Sequence, residues 1–197
     1  PGEKLICEKH PWGWESISFD DRNWTSAKQI QKGIPIRGTG YEQMPEYILC
    51  PREIPLMEYK KQLFKEVREI SGIKSADEIL LQKELIIPEN SNIKITTAFP
   101  QIKFSGGKNS KIKISYAESL FLPIKNNKNK STKNQGKGNR NVTKGKIFIG
   151  NNDVIVSDGG INRTFEPMWW RTFRYVLIEI TTEKTPLTLH EIFSYFT

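Results

Sequence analysis

The chain has 197 residues, of which 37% are hydrophobic, and its 30 lysines and arginines exceed its 22 aspartates and glutamates to give a net charge of +8. A chain of this length buries about 70% of its unfolded surface as one domain, so it needs neither a disulfide nor a metal ion to fold. No apolar run reaches the roughly 18 residues of a membrane-spanning helix, and the two cysteines and two histidines form no zinc-binding pattern.

The first fifty residues are predicted to form an irregular N-terminal arm that packs on the domain after it. Residues 12–50 mix aromatic side chains with glycine, proline and aspartate, the residue types that interrupt regular elements. Cys7 lies in this arm and Cys50 at its end, so the two could pair and tie the arm down, or could both stay reduced. The sequence leaves both states open.

Residues 51–197 are predicted to form an all-β domain. The stretch "KKQLFKEVREI" (60–70) is ambiguous, because Leu63, Val67 and Ile70 fall at helical spacing in a short segment. From Leu80 onward, short β-forming runs alternate with turn residues, and residues 111–116 alternate apolar with polar side chains. Many short strands with little helix indicate an antiparallel β-sandwich or jelly roll.

The excess positive charge lies in one low-complexity segment. Residues 119–152 contain eight basic and no acidic residues, so the remaining 22 basic residues balance the 22 acidic ones. Residues 123–145 are almost free of apolar side chains, which predicts a long mobile loop, with some order returning near Gly138. A nucleic-acid-binding face would also place basic residues on folded elements and supply aromatic rings for stacking, so this composition argues against nucleic acid as a partner.

The stretch "EPMWWRTFRYVLIEI" (166–180) concentrates aromatic residues before an apolar strand. Phe173, Tyr175 and Leu177 are predicted to be core residues. Trp169 and Trp170 are adjacent, so one should enter the core and the other should lie at the rim. A rim ring beside Arg171 suits a sugar, because the pyranose stacks on the ring while the guanidinium binds hydroxyl groups. The alternative is that both tryptophans pack at the end of the sandwich and fill the space between its sheets.

Several segments carry a family resemblance. They are "SFDDRNWTSA" (18–27), "SGGKNSKIKISYAESL" (105–120), "KGNRN" (137–141), "GNND" (150–153), "RTFEPMWWRTFRYVLIEI" (163–180) and "PLTLHEIFSYFT" (186–197). Together they resemble the β-sandwich region of bacterial α-L-rhamnosidases of glycoside hydrolase family 78. In that family a galactose-binding-like sandwich precedes an (α/α)6 catalytic barrel.

The resemblance implies a role. The chain would be a non-catalytic accessory domain of a longer α-L-rhamnosidase, with the missing barrel as its partner and a rhamnose-containing polysaccharide as its ligand. Secretion to the periplasm or the cell exterior is expected because related enzymes act on external polysaccharides. A ligand-free spacer that packs on the barrel is the alternative, and nucleic-acid binding through the basic loop is a second alternative.

The resemblance also implies candidate site residues. The predicted carbohydrate-binding residues are Trp169, Trp170, Arg171, Asn139 and Arg140. The family's use of calcium, an ion held by carboxylate, amide and backbone oxygens, suggests a metal site. Its predicted ligands are Glu118, Asn152 and Asp153, with ordinary turn structure as the alternative. No catalytic residue and no required cofactor is predicted, because carboxylate pairs such as Glu166 and Glu179 resemble strand-end charges.

Overall fold

The computed structural model describes residues 2–30, 34–35, 48–49, 53–56, 60–63, 66–81, 83–97, 101–123, 136–169 and 171–196. The chain divides into two compact units, one formed by Pro1–His10 with Tyr59–Thr197 and the other by Pro11–Glu58. In the smaller unit, strands β2 (Ile34–Pro35) and β3 (Ile48–Leu49) pair in parallel. The larger unit therefore starts with the first ten residues, which the sequence had grouped with the arm.

The larger unit contains two β-sheets. Its strands are β1 (Lys4–Ile6), β4 (Lys60–Leu63), β5 (Glu69–Ser71), β6 (Leu85–Ile87), β7 (Asn92–Thr97), β8 (Gln101–Gly106), β9 (Lys111–Ala117), β10 (Asn151–Val156), β11 (Arg163–Phe165), β12 (Tyr175–Thr181) and β13 (Leu187–Phe196). A 3-10 turn at Cys7–Lys9 and one helical turn, α1 (Asp77–Leu80), complete the regular structure of the described residues. No helix among the described residues has the length and hydrophobicity needed to cross a bilayer.

The two sheets confirm the predicted all-β sandwich class. The six-stranded sheet has the order β1-β10-β9-β12-β7-β5, and all its pairs are antiparallel except β1 with β10. The five-stranded sheet has the order β11-β8-β13-β4, and β6 also pairs with β13. The jelly-roll and galactose-binding-like topologies stay predictions.

The core lies between the sheets and follows from the alternation of side chains. Ile112 and Ile114 of β9 are fully buried, as are Phe104 of β8 and Leu187 of β13 on the facing sheet. Each such side chain contributes about 1.5–3 kcal/mol through its removal from water. The predicted alternation of buried and wet positions in β9 is therefore confirmed at its apolar positions.

Two sequence predictions need correction, one at the edges of the sheets and one in β12, inside the six-stranded sheet. The helical spacing in residues 60–70 is misleading, because β4 pairs with the end of β13 and β5 pairs with β7. In β12 the residues that face the core are Val176, Ile178 and Ile180, which are fully buried. Tyr175 and Leu177 occupy the opposite, outer face. Tyr175 is buried there, as predicted, whereas Leu177 and Phe173 are only partly buried.

Cys7 is fully buried in the sandwich unit. Burial raises the pKa of its thiol to about 11, and the negative charge of Asp158 acts in the same direction. Because the thiolate is the reactive form, both the burial and the raised pKa lower the reactivity that we expect of this thiol near neutral pH. Cys50, its proposed disulfide partner, lies outside the described residues.

Candidate functional site

A cleft of about 490 Å³ lies on the outer face of the six-stranded sheet. Its floor is formed by β9 and β12, and residues of β5 and of the segment 146–150 form its sides. The lining residues are Glu69, Ile70, Ser71, Lys94, Lys113, Ser115, Leu120, Lys146, Ile147, Phe148, Gly150, Asn152, Leu177 and Glu179. The cleft thus combines apolar side chains with carboxylates, ammonium groups and hydroxyls.

Residues 136–150, here called the cover segment, are joined by backbone hydrogen bonds to the residues that follow β9. The Phe121 and Ile147 backbones exchange two of these bonds, with N–O distances of 3.0 and 2.8 Å, and the Leu122 N–H donates to the Gly136 carbonyl at 2.8 Å. A β-carbon at Gly150 would lie 1.8 Å from the carbonyl oxygen of Tyr116. Only glycine therefore allows the cover segment to enter β10 this close to β9.

Side chains complete the attachment of the cover segment. Phe148 packs against the buried cluster of Ala117, Leu120 and Tyr175. The Tyr175 hydroxyl donates to the carbonyl of Arg140. These contacts explain why Tyr175 is buried although it points away from the main core.

The polar groups of the cleft are centred on Glu179. Lys113 donates to Glu179 Oε2 at 2.9 Å, and Lys94 lies 3.2 Å from Oε1. Burial by itself would raise the pKa of Glu179, but the two lysines outweigh it and hold the pKa below its usual value. We call Lys94, Lys113 and Glu179 the cleft ion cluster.

A second ion cluster lies inside the sandwich. Arg171 donates from Nη2 to Asp153 Oδ1 at 2.9 Å and to Glu3 Oε1 at 2.9 Å. Asp153 also accepts from the Tyr116 hydroxyl at 2.6 Å and from the Glu3 backbone N–H at 2.6 Å. Burial, followed by the hydrogen bond to Asp153, raises the pKa of Tyr116 far above its ordinary value. We call Glu3, Asp153 and Arg171 the inner ion cluster.

The inner ion cluster joins three parts of the chain. Glu3 accepts hydrogen bonds from the backbone N–H groups of Met168 and Trp169 at 3.0 and 3.2 Å, so it fixes the start of the aromatic stretch. Asp153 belongs to β10, and Arg171 precedes β12. A carboxylate with no exposed surface is tolerated here because both of its oxygens accept hydrogen bonds from protein donors.

The structure separates the predicted metal ligands. Asn152 and Asp153 are neighbours in β10, so Asn152 lines the outer cleft while Asp153 faces the core. Glu118 is exposed beyond the end of β9. Among the described residues, no three His, Cys, Asp or Glu side chains lie close enough together to hold a metal ion.

The predicted sugar-binding residues are also placed in different surroundings. Trp169 is 66% exposed, whereas the guanidinium of Arg171 is enclosed between Asp153 and Glu3. Asn139 and Arg140 lie in the cover segment, where the Lys146 ammonium donates to the carbonyl of Asn139. Trp170, like residues 124–135 of the basic loop, lies outside the described residues.

Most residues of the cleft were not predicted as site residues: Asn152 was predicted only as a metal ligand, and Glu179 only as a strand-end charge. Lys113 and Ser115 are the outward residues of β9, and Leu177 and Glu179 are those of β12. The available signal was a glutamate in the mostly apolar strand β12 and a lysine in β9, with Lys113 opposite Glu179 once the strands pair. Only the pairing of β9 with β12 brings the two residues together.

Searches of protein-family models, of curated proteins and of solved structures find no match to this chain.

Proposed function

We propose that this chain is a carbohydrate-binding β-sandwich domain that holds a sugar in the cleft on its six-stranded sheet. The observation that supports this proposal is the composition of the cleft: the apolar surfaces of Leu177 and Phe148 lie beside the carboxylate and ammonium groups of the cleft ion cluster. A concave site with apolar walls and a few convergent polar groups is the usual form of a small-molecule site.

Sugars need this combination of groups. A pyranose presents an apolar face of C–H groups together with hydroxyls that both donate and accept hydrogen bonds. Leu177 and Phe148 offer surface for the apolar face, Glu179 accepts from hydroxyls, and the lysines donate to them. Hydrogen bonds to charged groups are about twice as strong as neutral ones.

The cleft ion cluster is also held in place before a ligand arrives. Each oxygen of Glu179 has its own lysine, Lys94 on one and Lys113 on the other. A side chain that is already oriented loses less conformational entropy on binding, which improves affinity. Ser115 and Asn152 add polar groups to the same cleft.

The sugar class that we propose is a rhamnose-containing glycan, on the basis of the sequence resemblance to α-L-rhamnosidases. Rhamnose is a 6-deoxy sugar, so it has a methyl group where a hexose has a hydroxymethyl group. That methyl group adds apolar surface for Leu177 and Phe148. Under this proposal the partner is a catalytic barrel in a longer enzyme of the periplasm or cell exterior.

Calorimetric titration with L-rhamnose, using L-mannose as the matched sugar that keeps the 6-hydroxyl group, tests the proposal. We expect L-rhamnose to bind more tightly than L-mannose, and Glu179→Gln to weaken binding about 10-fold or more, because a hydrogen bond to a charged group contributes about 1.5–3 kcal/mol. Glu191→Gln is the matched control, since Glu191 forms a similar pair with Lys61 at 2.7 Å on the other sheet.

A third variant separates the cleft from the aromatic rim. Trp169→Ala should leave the affinity unchanged if the sugar occupies the cleft. Loss of binding in Trp169→Ala with full binding in Glu179→Gln would overturn the cleft as the site. If neither sugar produces a heat of binding at millimolar concentrations, the result would contradict the proposed function and favour a ligand-free spacer.

A further inference from the structure

The outer face of the five-stranded sheet carries a serine, a histidine and a glutamate in one hydrogen-bonded chain. Ser105 Oγ lies 2.6 Å from His190 Nε2, and His190 Nδ1 lies 2.8 Å from Glu84 Oε1. The backbone N–H of Asn162 donates to Ser105 Oγ at 2.8 Å. This face belongs to the opposite sheet from the cleft, so its chemistry is independent of the proposed sugar site.

The pairing of the strands explains how these three residues meet. Leu189 of β13 pairs with Leu85 on one side and with Phe104 on the other. Glu84 precedes Leu85 and His190 follows Leu189, so this antiparallel pairing places Glu84 beside His190. Strand β8 lies on the other side of His190. A register shift between Leu189 and Glu191 leaves His190 as the extra residue of a bulge. Bulges re-aim side chains, and this one directs the imidazole toward Ser105.

When the His190 imidazole is neutral, its two hydrogen bonds assign the direction in which protons are donated. An ionised carboxylate only accepts, so His190 Nδ1 must carry the proton that is donated to Glu84. In the neutral imidazole Nε2 is then an acceptor, and the Ser105 hydroxyl must donate to it. Because the Asn162 N–H uses one lone pair of Ser105 Oγ, the other lone pair stays available for attack.

From this geometry we propose that Ser105 is a nucleophile for short-chain carboxylic esters, with His190 as its general base and Glu84 as the residue that positions His190. A nucleophile hydrogen-bonded to a base, with the base oriented by a third group, is the arrangement that activates serine. Ser105 is partly exposed, and His190 keeps 20% and Glu84 64% of the side chain exposed, so the three residues lie at the surface of the sheet.

The reaction is balanced with water as the only co-reactant. Ser105 Oγ bonds to the ester carbonyl carbon while its proton passes to His190 Nε2, and the Asn162 N–H shares its hydrogen bond with the developing oxyanion. The bond to the alcohol breaks, and the alcohol leaves with that proton. Water then gives a proton to Nε2 and attacks the acyl-serine; the acid leaves, and Ser105 recovers its proton.

The surroundings indicate the substrate class. Ile86, in β6, pairs with Thr188, which in turn pairs with Ser105. Ile161 and Asn162 precede β11, the strand on the other side of β8. Both isoleucines are exposed and give the otherwise polar face two apolar contacts. An open face with small apolar contacts suits a short acyl group on an alcohol of any size.

The test uses the whole chain with a fluorophosphonate probe, which forms a phosphorus–oxygen bond to an activated serine with release of fluoride, and with p-nitrophenyl acetate as substrate. We expect one adduct, on Ser105, and none in Ser105→Ala. His190→Gln should slow hydrolysis at least about 100-fold, the lower range of general-base effects. Glu191→Gln, which changes the neighbour of His190 in β13 and its pair with Lys61, should react like the wild-type chain.

Glu84 needs a readout that distinguishes positioning from general stability. Glu84→Gln should lower the maximal labelling rate about 10-fold, less than the roughly 10⁴-fold effect of a buried triad carboxylate, because Glu84 is mostly exposed. The probe concentration for half-maximal rate and the melting temperature should not change. An unlabelled wild-type chain, or His190→Gln labelled at the wild-type rate, would overturn the proposal.

Discussion

The inner ion cluster and the cleft ion cluster use the same chemistry in opposite surroundings. In the first, Asp153 has 0% and Arg171 11% of its side-chain surface exposed, and a second carboxylate, Glu3, adds to the pair. In the second, Glu179 is 23% and Lys94 53% exposed, and two lysines share one carboxylate. The comparison shows how burial assigns roles. The buried cluster holds chain segments together, whereas the wetter one is open to solvent and, under the proposed function, exchanges its contacts with a sugar.

The largest effect that we expect is on the free energy of unfolding. Asp153→Ala should lower it by about 3–5 kcal/mol, because it leaves the enclosed guanidinium of Arg171 without its main partner. Urea denaturation followed by tryptophan fluorescence and circular dichroism measures this change.

The cleft ion cluster supplies the control for that change. Glu179→Ala removes a partly exposed partner, so it should cost less than about 1 kcal/mol. Equal losses of stability in Asp153→Ala and Glu179→Ala would contradict the division of roles between the clusters.

We expect a smaller change in the free energy of unfolding when the pH is lowered. The pKa of Glu179 is lower in the folded chain than its ordinary value of 4.5, so below that value the unfolded chain binds more protons than the folded chain. The stability that Glu179 provides is therefore complete above about pH 4.5 and is lost as the pH falls through the folded pKa. The difference in unfolding free energy between wild type and Glu179→Gln, measured from pH 7 to pH 3, should shrink toward zero. A difference that stays constant or grows on acidification would contradict the role given to the two lysines.

The all-β class and the inward face of β9 were readable from the sequence because alternation is a local property. The burial of Tyr175 was predicted as well, although the sequence placed it in the main core and not on the outer face of the sheet. The sequence could not identify what covers the outer face, since Phe148 reaches Tyr175 only through the folded cover segment.

The roles of Asp153 and His190 could not be predicted for a related reason. Asp153 resembles a turn residue in the sequence, and its burial depends on Glu3, which is 150 positions away, and on Arg171. His190 reaches Ser105 and Glu84 only because the register shifts at one position of β13. Interactions set by long-range pairing and by a bulge leave no periodic signal in the chain.

The most direct test of the central claim is a map of amide chemical shifts in the ¹⁵N-labelled chain during titration with L-rhamnose. Binding in the cleft predicts the largest shifts at Ser115, Phe148, Leu177 and Glu179, with saturation at one common dissociation constant. Shifts centred on Trp169, or a spectrum that does not respond to the sugar, would contradict the account.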